Sequence, residues 1–336
     1  MNLNLSLIWA IIILFGIMMY IMMDGFDLGI GILYPFFPDK TDRDVMMNTI
    51  APVWDGNETW LVLGGAGLLA AFPLAYAIIL SAFYMPIILM LLALILRGVA
   101  FEFRFKATES EQHFWDKAFI LGSVAATSFQ GLILGAYLQG IPVEKGVYAG
   151  GPLDWLTPFS IFTALGLLVT YGLLGSTWLI MKTSGQLQMA NYDLAKTLAN
   201  ILLITIFAVS IWTPLLDKQI FQRWFTLPNM LWLLPVPILV ASFFYQLRIA
   251  LSLKKANFSP FIYALGLVFL GYIGLGISIW PNIVPPHISI YIAAAPHSSQ
   301  SFALIGAVII IPLILAYTTW GYFIFRGKVS ADDHYH

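Results

Sequence analysis

Residues 5–37, LSLIWAIIILFGIMMYIMMDGFDLGIGILYPFF, decide what kind of protein this is. A helix crossing about 30 Å of hydrocarbon needs about 20 apolar residues. This run exceeds that, and only Asp24 and Asp27 interrupt it. Nothing basic comes before Lys40 and the run is too long for the apolar part of a signal peptide, so it reads as a retained first helix. Working outward, residues 52–103 are too many for one crossing. Phe72-Pro73 offers a break, which predicts helices over 52–72 and 75–103. Further apolar runs follow at about 115–139, 156–181, 195–216, 229–253, 259–281 and 299–325, bringing the expected total to nine. Turn residues fall between them, at Pro38-Asp39, Gly140-Ile141-Pro142, Gly150-Gly151-Pro152, Leu227-Pro228 and Pro285-Pro286.

The composition agrees. Of 336 residues, 60% are hydrophobic and 10% are charged, and the mean hydropathy is +0.86. A soluble protein carries about 25% charged residues. The 16 basic and 17 acidic side chains are too few to coat a water-soluble particle of this size. A soluble enzyme, a disordered chain and a nucleic-acid binder are excluded. The expected class is an all-α polytopic membrane protein. Its nine transmembrane helices divide into two four-helix bundles, 1–140 and 141–284, followed by an extra helix and tail over 285–336.

Orientation follows from the basic residues, which favour the cytoplasmic side. With the N-terminus outside, the inner side holds Lys40, Arg43, Arg104, Lys106, Lys117, Lys182, Lys196, Arg248, Lys254, Lys255, Arg326 and Lys328, which is 12. The outer side holds Lys145, Lys218 and Arg223, which is 3, and Arg97 lies inside the third helix. The expected topology is N-out, C-in.

A charge inside a span costs at least about 2.5–3.5 kcal/mol on insertion scales and is a functional candidate. Five residues qualify: Asp24 and Asp27 on the first helix, Asp55 and Glu58 on the second, and Arg97 on the third. At about 1.5 Å per residue, the first two lie about 26–30 Å from the outer start of their helix. Asp55 and Glu58 lie about 5–9 Å from an inner start, and Arg97 about 9 Å from an inner end. All five therefore occupy one layer, the cytoplasmic third. Each acid pair is spaced i, i+3 and so shares a helix face. Four carboxylates facing one guanidinium in a poorly solvated layer should not all stay ionised, so the layer can pass a proton or an ion. The competing reading is a set of ion pairs that fastens the first three helices, helped by the small Gly25/Gly29 face. A third arrangement pairs Glu58 with Arg97 and leaves Asp24, Asp27 and Asp55 as transfer residues.

Intramembrane haems are usually held by His or Met. The five histidines, His113, His287, His297, His334 and His336, all lie outside the expected spans, so the chain offers a haem no intramembrane His. Met18, Met19, Met22, Met23, Met85 and Met90 read as gap-filling core residues. With no cysteine, cysteine-ligated zinc and iron–sulfur clusters are excluded. No phosphate loop, dinucleotide fingerprint or zinc-protease motif occurs, and Gly64-Gly65-Ala66-Gly67 reads as a close helix contact. Trp9, Trp155 and Trp320 fit interfacial belts, whereas Trp54 and Trp60 bracket the acids of the second helix.

Asp24-Gly25-Phe26-Asp27-Leu28-Gly29 and Ala51-Pro52-Val53-Trp54-Asp55-Gly56-Asn57-Glu58-Thr59-Trp60 resemble two specific motifs of subunit II of the cytochrome bd-type quinol oxidases. Arg97 with Phe101-Glu102-Phe103-Arg104, Leu138-Gln139-Gly140-Ile141-Pro142, Lys182-Thr183-Ser184-Gly185 and Ser298-Ser299-Gln300 also fit. The match runs nearly end to end and points to the shorter, cyanide-insensitive-type branch. Pro285-Pro286-His287 departs from the expected Pro-Ser-Ser, so no role is carried over to it.

The resemblance implies a heterodimer with a haem-bearing subunit I, which holds two haems b and one haem d and oxidises quinol. It implies O2 reduction to water in the bacterial cytoplasmic membrane with protons taken from the cytoplasm. The family's proton route matches Asp27 and Asp55, with Asp24 nearby, and Trp60 matches a residue near an O2 passage. Some members hold a structural quinone in this subunit, and small single-span accessory subunits are compatible with it. The rival readings are a secondary transporter or ion channel using the buried acids, and a purely structural subunit. Transporter sites sit near the midplane, which disfavours the first.

Overall fold

Helix α1 (Leu5–Leu33) starts where the Asn4 side chain accepts the Leu7 N–H at 3.2 Å, satisfying a donor that the first turn would otherwise leave orphaned. It ends in a single 3₁₀ turn at Pro35. This computed structural model describes residues 4–255 and 257–330. The histidines at 334 and 336 lie outside the described residues.

A short helix unforeseen in the sequence, α2 (Lys40–Ile50), comes next. The Asp39 side chain caps it by accepting from Thr41 N and Asp42 N, and it buries Val45, Met46, Met47, Thr49 and Ile50. Then come α3 (Trp54–Ala71) and α4 (Pro73–Lys106), separated at Phe72-Pro73 as expected. Helix α4 kinks at Phe83, where the ring of Pro86 leaves no room for a regular turn and no N–H for its ladder. Helix α5 (Glu109–Gln139) opens on a Thr108/Glu111 capping box, and α6 (Pro158–Lys182) on Thr157 and Ser160. The remainder are α7 (Gly185–Leu216), α8 (Lys218–Phe225), α9 (Asn229–Leu233), α10 (Pro235–Leu253), α11 (Ser259–Ile279) and α12 (His297–Ile324). Two small antiparallel hairpins, 143–148 and 282–289, close loops at one end. They meet where Ile141 N donates to Pro285 O.

Among the described residues eight helices are long and apolar enough to cross a membrane. The expected second span exists as α3, with 18 residues, but its polar opening turns leave it outside that set. Two other boundaries moved. Helix α7, the sixth expected span, begins ten residues earlier than the apolar run suggested, at Gly185, and the 229–253 run is divided before Pro235.

Packing corrects three local expectations. The Gly25/Gly29 face of α1 does not meet α3 or α4. A Cβ at Gly29 would strike the backbone of Tyr171 and Gly175 on α6, so this small face seats α6. Trp9 and Trp155 are buried, not belt residues: Trp9 Nε1 donates to Gln300 O and Trp155 Nε1 to Pro152 O. Of the six methionines read as core only Met90 is buried, and Met85 is exposed. Trp320 is exposed, and Gly64 and Gly67 pack on Ile17 and Ile13 of α1 as a close helix contact.

Candidate functional site: a buried charge layer

Three helices bring the charges together. Asp24 and Asp27 of α1 are fully buried, as is Arg97 of α4 at 1% exposure. Arg97 Nη1 lies 2.8 Å from Asp24 Oδ1, and Nη2 lies 2.9 Å from Glu58 Oε2 on α3. One planar fork thus ties two helices to a third, and its face lies over the Trp54 ring at 5.9 Å. The sequence depths therefore placed Asp24, Glu58 and Arg97 correctly in one layer.

Asp27 has a different partner. Its Oδ2 accepts from Asn57 Nδ2 at 2.8 Å, while Asn57 Oδ1 accepts from the Tyr322 hydroxyl of α12 at 2.8 Å. Asp55 stands apart. It is exposed on the outer face of α3 and pairs with neither Arg97 nor another base among the described residues. Trp60 is 1% exposed and meets Phe15 edge-on at 5.8 Å.

Sequence reasoning missed five polar members, Asn57, Tyr322, Gln130, Tyr171 and Tyr20. Asn57 lay inside the quoted motif, but Tyr322, Gln130 and Tyr171 gave no local signal. Tyr171 donates to Gln130 Oε1 at 2.9 Å, and Gln130 Nε2 donates to the Tyr20 hydroxyl at 2.6 Å, one turn before Asp24. Several buried atoms here lack a directed hydrogen bond: both Asp24 oxygens, Asp27 Oδ1, Arg97 Nε and the Ser123 and Thr127 hydroxyls of α5. For Asp24 the contact with Arg97 is an ion pair at 2.8 Å.

A second cluster lies towards the α2 end. Arg104 reaches Asp116 at 2.5 Å and Asp44 at 2.6 Å, and Arg43 reaches Asp116 at 2.9 Å. Arg43 also donates to the carbonyls of Phe37 and Tyr34, closing the loop after α1. In the first turn of α2, burial and then neighbouring Asp39 push the Asp42 carboxyl above its usual range.

The described histidines, His113, His287 and His297, are all exposed, so no buried imidazole faces an iron. Among the described residues no group of three or more His, Cys, Asp or Glu is arranged to hold a metal ion.

Long apolar helices around a buried, charge-rich layer define a multi-pass membrane protein with polar chemistry inside its spans. The family model described as "Cytochrome bd terminal oxidase subunit II" matches residues 5–325, and the chain belongs to that family. It is 27% identical to the cytochrome bd-I ubiquinol oxidase subunit 2 of Escherichia coli (strain K12), covering 98% of this chain and 96% of the relative. It is 30% identical to a probable cytochrome oxidase subunit 2 of Haemophilus influenzae, over 98% and 96%. For the cytochrome bd ubiquinol oxidase subunit 2 of Bacillus subtilis the identity is 27% over 97% of each chain. The fold matches a chain of the bd oxidase from Geobacillus thermodenitrificans with a TM-score of 0.77, covering 96% of this chain and 99% of that one, at 16% identity. The chain is accordingly a subunit of a terminal oxidase, an oxidoreductase complex.

Proposed function

We propose that this chain is the haem-free subunit II of a quinol:O2 oxidoreductase in the bacterial cytoplasmic membrane. It scaffolds a subunit I that carries two haems b and one haem d, and supplies that subunit with protons from the cytoplasm. In this reading α3 completes nine crossings, N-out and C-in. The chain forms four-helix groups over 1–140 and 141–284 and a last helix and tail over 285–336. Quinol and O2 are substrates of the whole complex, a structural quinone and small accessory subunits are compatible with it, and the lipid bilayer covers the remaining apolar faces.

One observation carries the proton role. The buried layer sets three carboxylates, Asp24, Asp27 and Glu58, against the single guanidinium of Arg97. Surplus charge in a poorly solvated site is strongly unfavourable, and uptake of protons relieves it. Asp24 and Glu58 hold Arg97. Asp27, with one oxygen on Asn57 and the other without a partner, is the member free to exchange a proton inside the layer. Asp55, exposed on a membrane helix, is costly against lipid and suits a face covered by a partner subunit, where it takes up the proton first.

In the assembled complex, Asp27→Asn and Asp55→Asn should each lower quinol oxidase turnover per haem by about tenfold or more, the scale of losing a proton-transfer group. Haem content should change much less. Full turnover in both variants would defeat the proton role and leave the fastening one. Trp60 lines the O2 passage in this reading. Trp60→Phe, which keeps a ring in the slot, should change the apparent KM for O2 and leave turnover at saturating O2 near that of the parent. An unchanged KM would count against it.

A further inference from the structure

Helix α12 is fastened mainly at its ends. Gln300 is its one buried described residue, and its carbonyl accepts Trp9 Nε1 at 3.0 Å. At the other end the chain beyond α12 meets Lys182, the last residue of α6, which is 4% exposed. The Lys182 ammonium donates to the Phe325 carbonyl and, at 2.7 Å, to the Gly327 carbonyl. Contacts run the other way as well: Lys328 Nζ donates to Thr183 O and Val329 N to Lys182 O, both at 2.8 Å. Among the described residues Lys182 forms no ion pair. Burying an ammonium against carbonyls and a ring face with no carboxylate is expensive, so an apolar residue would serve stability at least as well unless position matters.

Position does matter here. Tyr322 lies three residues before the first carbonyl that Lys182 grips, and its hydroxyl donates to Asn57, which donates to Asp27. Trp178, one turn before Lys182, meets the Tyr322 ring edge-on at 6.1 Å and lies under the Lys182 ammonium at 5.6 Å. The last turn of α6 therefore holds both the tyrosine ring and the backbone just beyond it. The Asn57 amide has one accepting and one donating side. With Tyr322 on its oxygen, its NH2 must face Asp27. Without Tyr322 the amide is free to turn and set its oxygen against the carboxyl group. A displacement of about 1 Å carries a 2.8 Å contact out of hydrogen-bond range.

We infer that Lys182 is a positioning residue for Asp27, acting through the clasp on 325–329, Tyr322 and Asn57. The inference rests on the proton-uptake role proposed above. Its test uses the whole complex, with turnover per haem read against pH for Lys182→Met, Lys182→Arg, Tyr322→Phe and the double variant of Lys182→Met with Tyr322→Phe. Lys182→Met and Tyr322→Phe should each lose about three- to tenfold, the scale of one disturbed hydrogen bond. They should change the pH profile in the same sense, and the double variant should be no slower than the slower single one. Lys182→Arg, which still donates to carbonyls, should recover most of the turnover. Parental turnover and pH profile in Lys182→Met, or losses that multiply in the double variant, would overturn the inference. Should Lys182→Met fail to assemble, Lys328→Met probes the same clasp from its other strand. A smaller loss with the same change of profile supports the inference, and parental behaviour overturns it. Full turnover in both Asp27→Asn and Asp55→Asn would instead remove the proton role itself, so the two failures are separable.

Discussion

Arg97 and Arg104 stand two turns apart on α4, about 10 Å along its axis, and each is the centre of a buried charge cluster. Around Arg104 the charges balance: two guanidiniums, Arg104 and Arg43, meet two carboxylates, Asp44 and Asp116, at 2.5–2.9 Å. Around Arg97 they do not: Asp24 and Glu58 take the one base, and buried Asp27 is left with the neutral Asn57 amide. The Arg104 cluster also closes on the backbone of the loop after α1. The Arg97 cluster instead leaves atoms of Asp24, Asp27 and Arg97 without directed partners and extends through Asn57 to α12. The first arrangement fastens helices: each of its carboxylates has a guanidinium partner, and the buried atom it leaves without a hydrogen bond, Arg104 Nη2, belongs to a cation that takes up no proton. The second also joins helices, but it keeps unmet capacity, which proton transfer needs and mere fastening does not.

The comparison breaks most visibly at Arg104. Arg104→Ala should strip Asp44 of its base and leave Asp116 with Arg43 alone. Removing one partner of a buried pair costs about 3–5 kcal/mol. The expected outcome is a sharply reduced yield and thermal midpoint of the assembled complex, with turnover per haem in the surviving fraction near the parent's. A turnover loss as deep as that of Asp27→Asn, with the midpoint unchanged, would show that the balanced cluster also conducts protons.

How much of this was legible depends on the kind of signal. Depth along a helix is simple arithmetic at a fixed rise, so the meeting of Asp24, Glu58 and Arg97 in one layer could be read from their positions. Rotation about the helix is harder: Asp55, three positions before Glu58, faces outward, because that spacing does not fix which side the neighbouring helix takes. Partner choice is invisible in the same way. The small face at Gly25 and Gly29 was apparent, yet only the fold shows that α6 fills it. Helix α2 could have been found, since Asp39 caps it and Val45, Met46, Thr49 and Ile50 repeat at helical spacing. Tyr322 could not, since an aromatic in an apolar run looks the same whether it faces lipid or an asparagine. Trp9 and Trp155 were misread for the converse reason: an indole N–H serves equally at a membrane interface and against a buried carbonyl.

The finest division within the Arg97 cluster lies between Glu58 and Asp27, and there the smallest effect is expected. Glu58 is 29% exposed on its side chain and makes its contact with Arg97 through one oxygen. Glu58→Gln keeps a carbonyl oxygen for Arg97 Nη2 and removes one negative charge from a layer that has too many. Arg97 keeps its ion pair with Asp24, and the relieved repulsion from Asp24 offsets part of what the weaker Glu58 contact loses. Turnover per haem should therefore stay within about threefold of the parent, while Asp27→Asn falls much further. The ratio between these two variants, measured at one pH in the same membranes, separates the acid that holds the arginine from the acid proposed to exchange the proton. Equal losses in both would place Glu58 on the transfer route, and the layer would then work as a single proton-sharing group in which Arg97 has no dedicated carboxylate on α3.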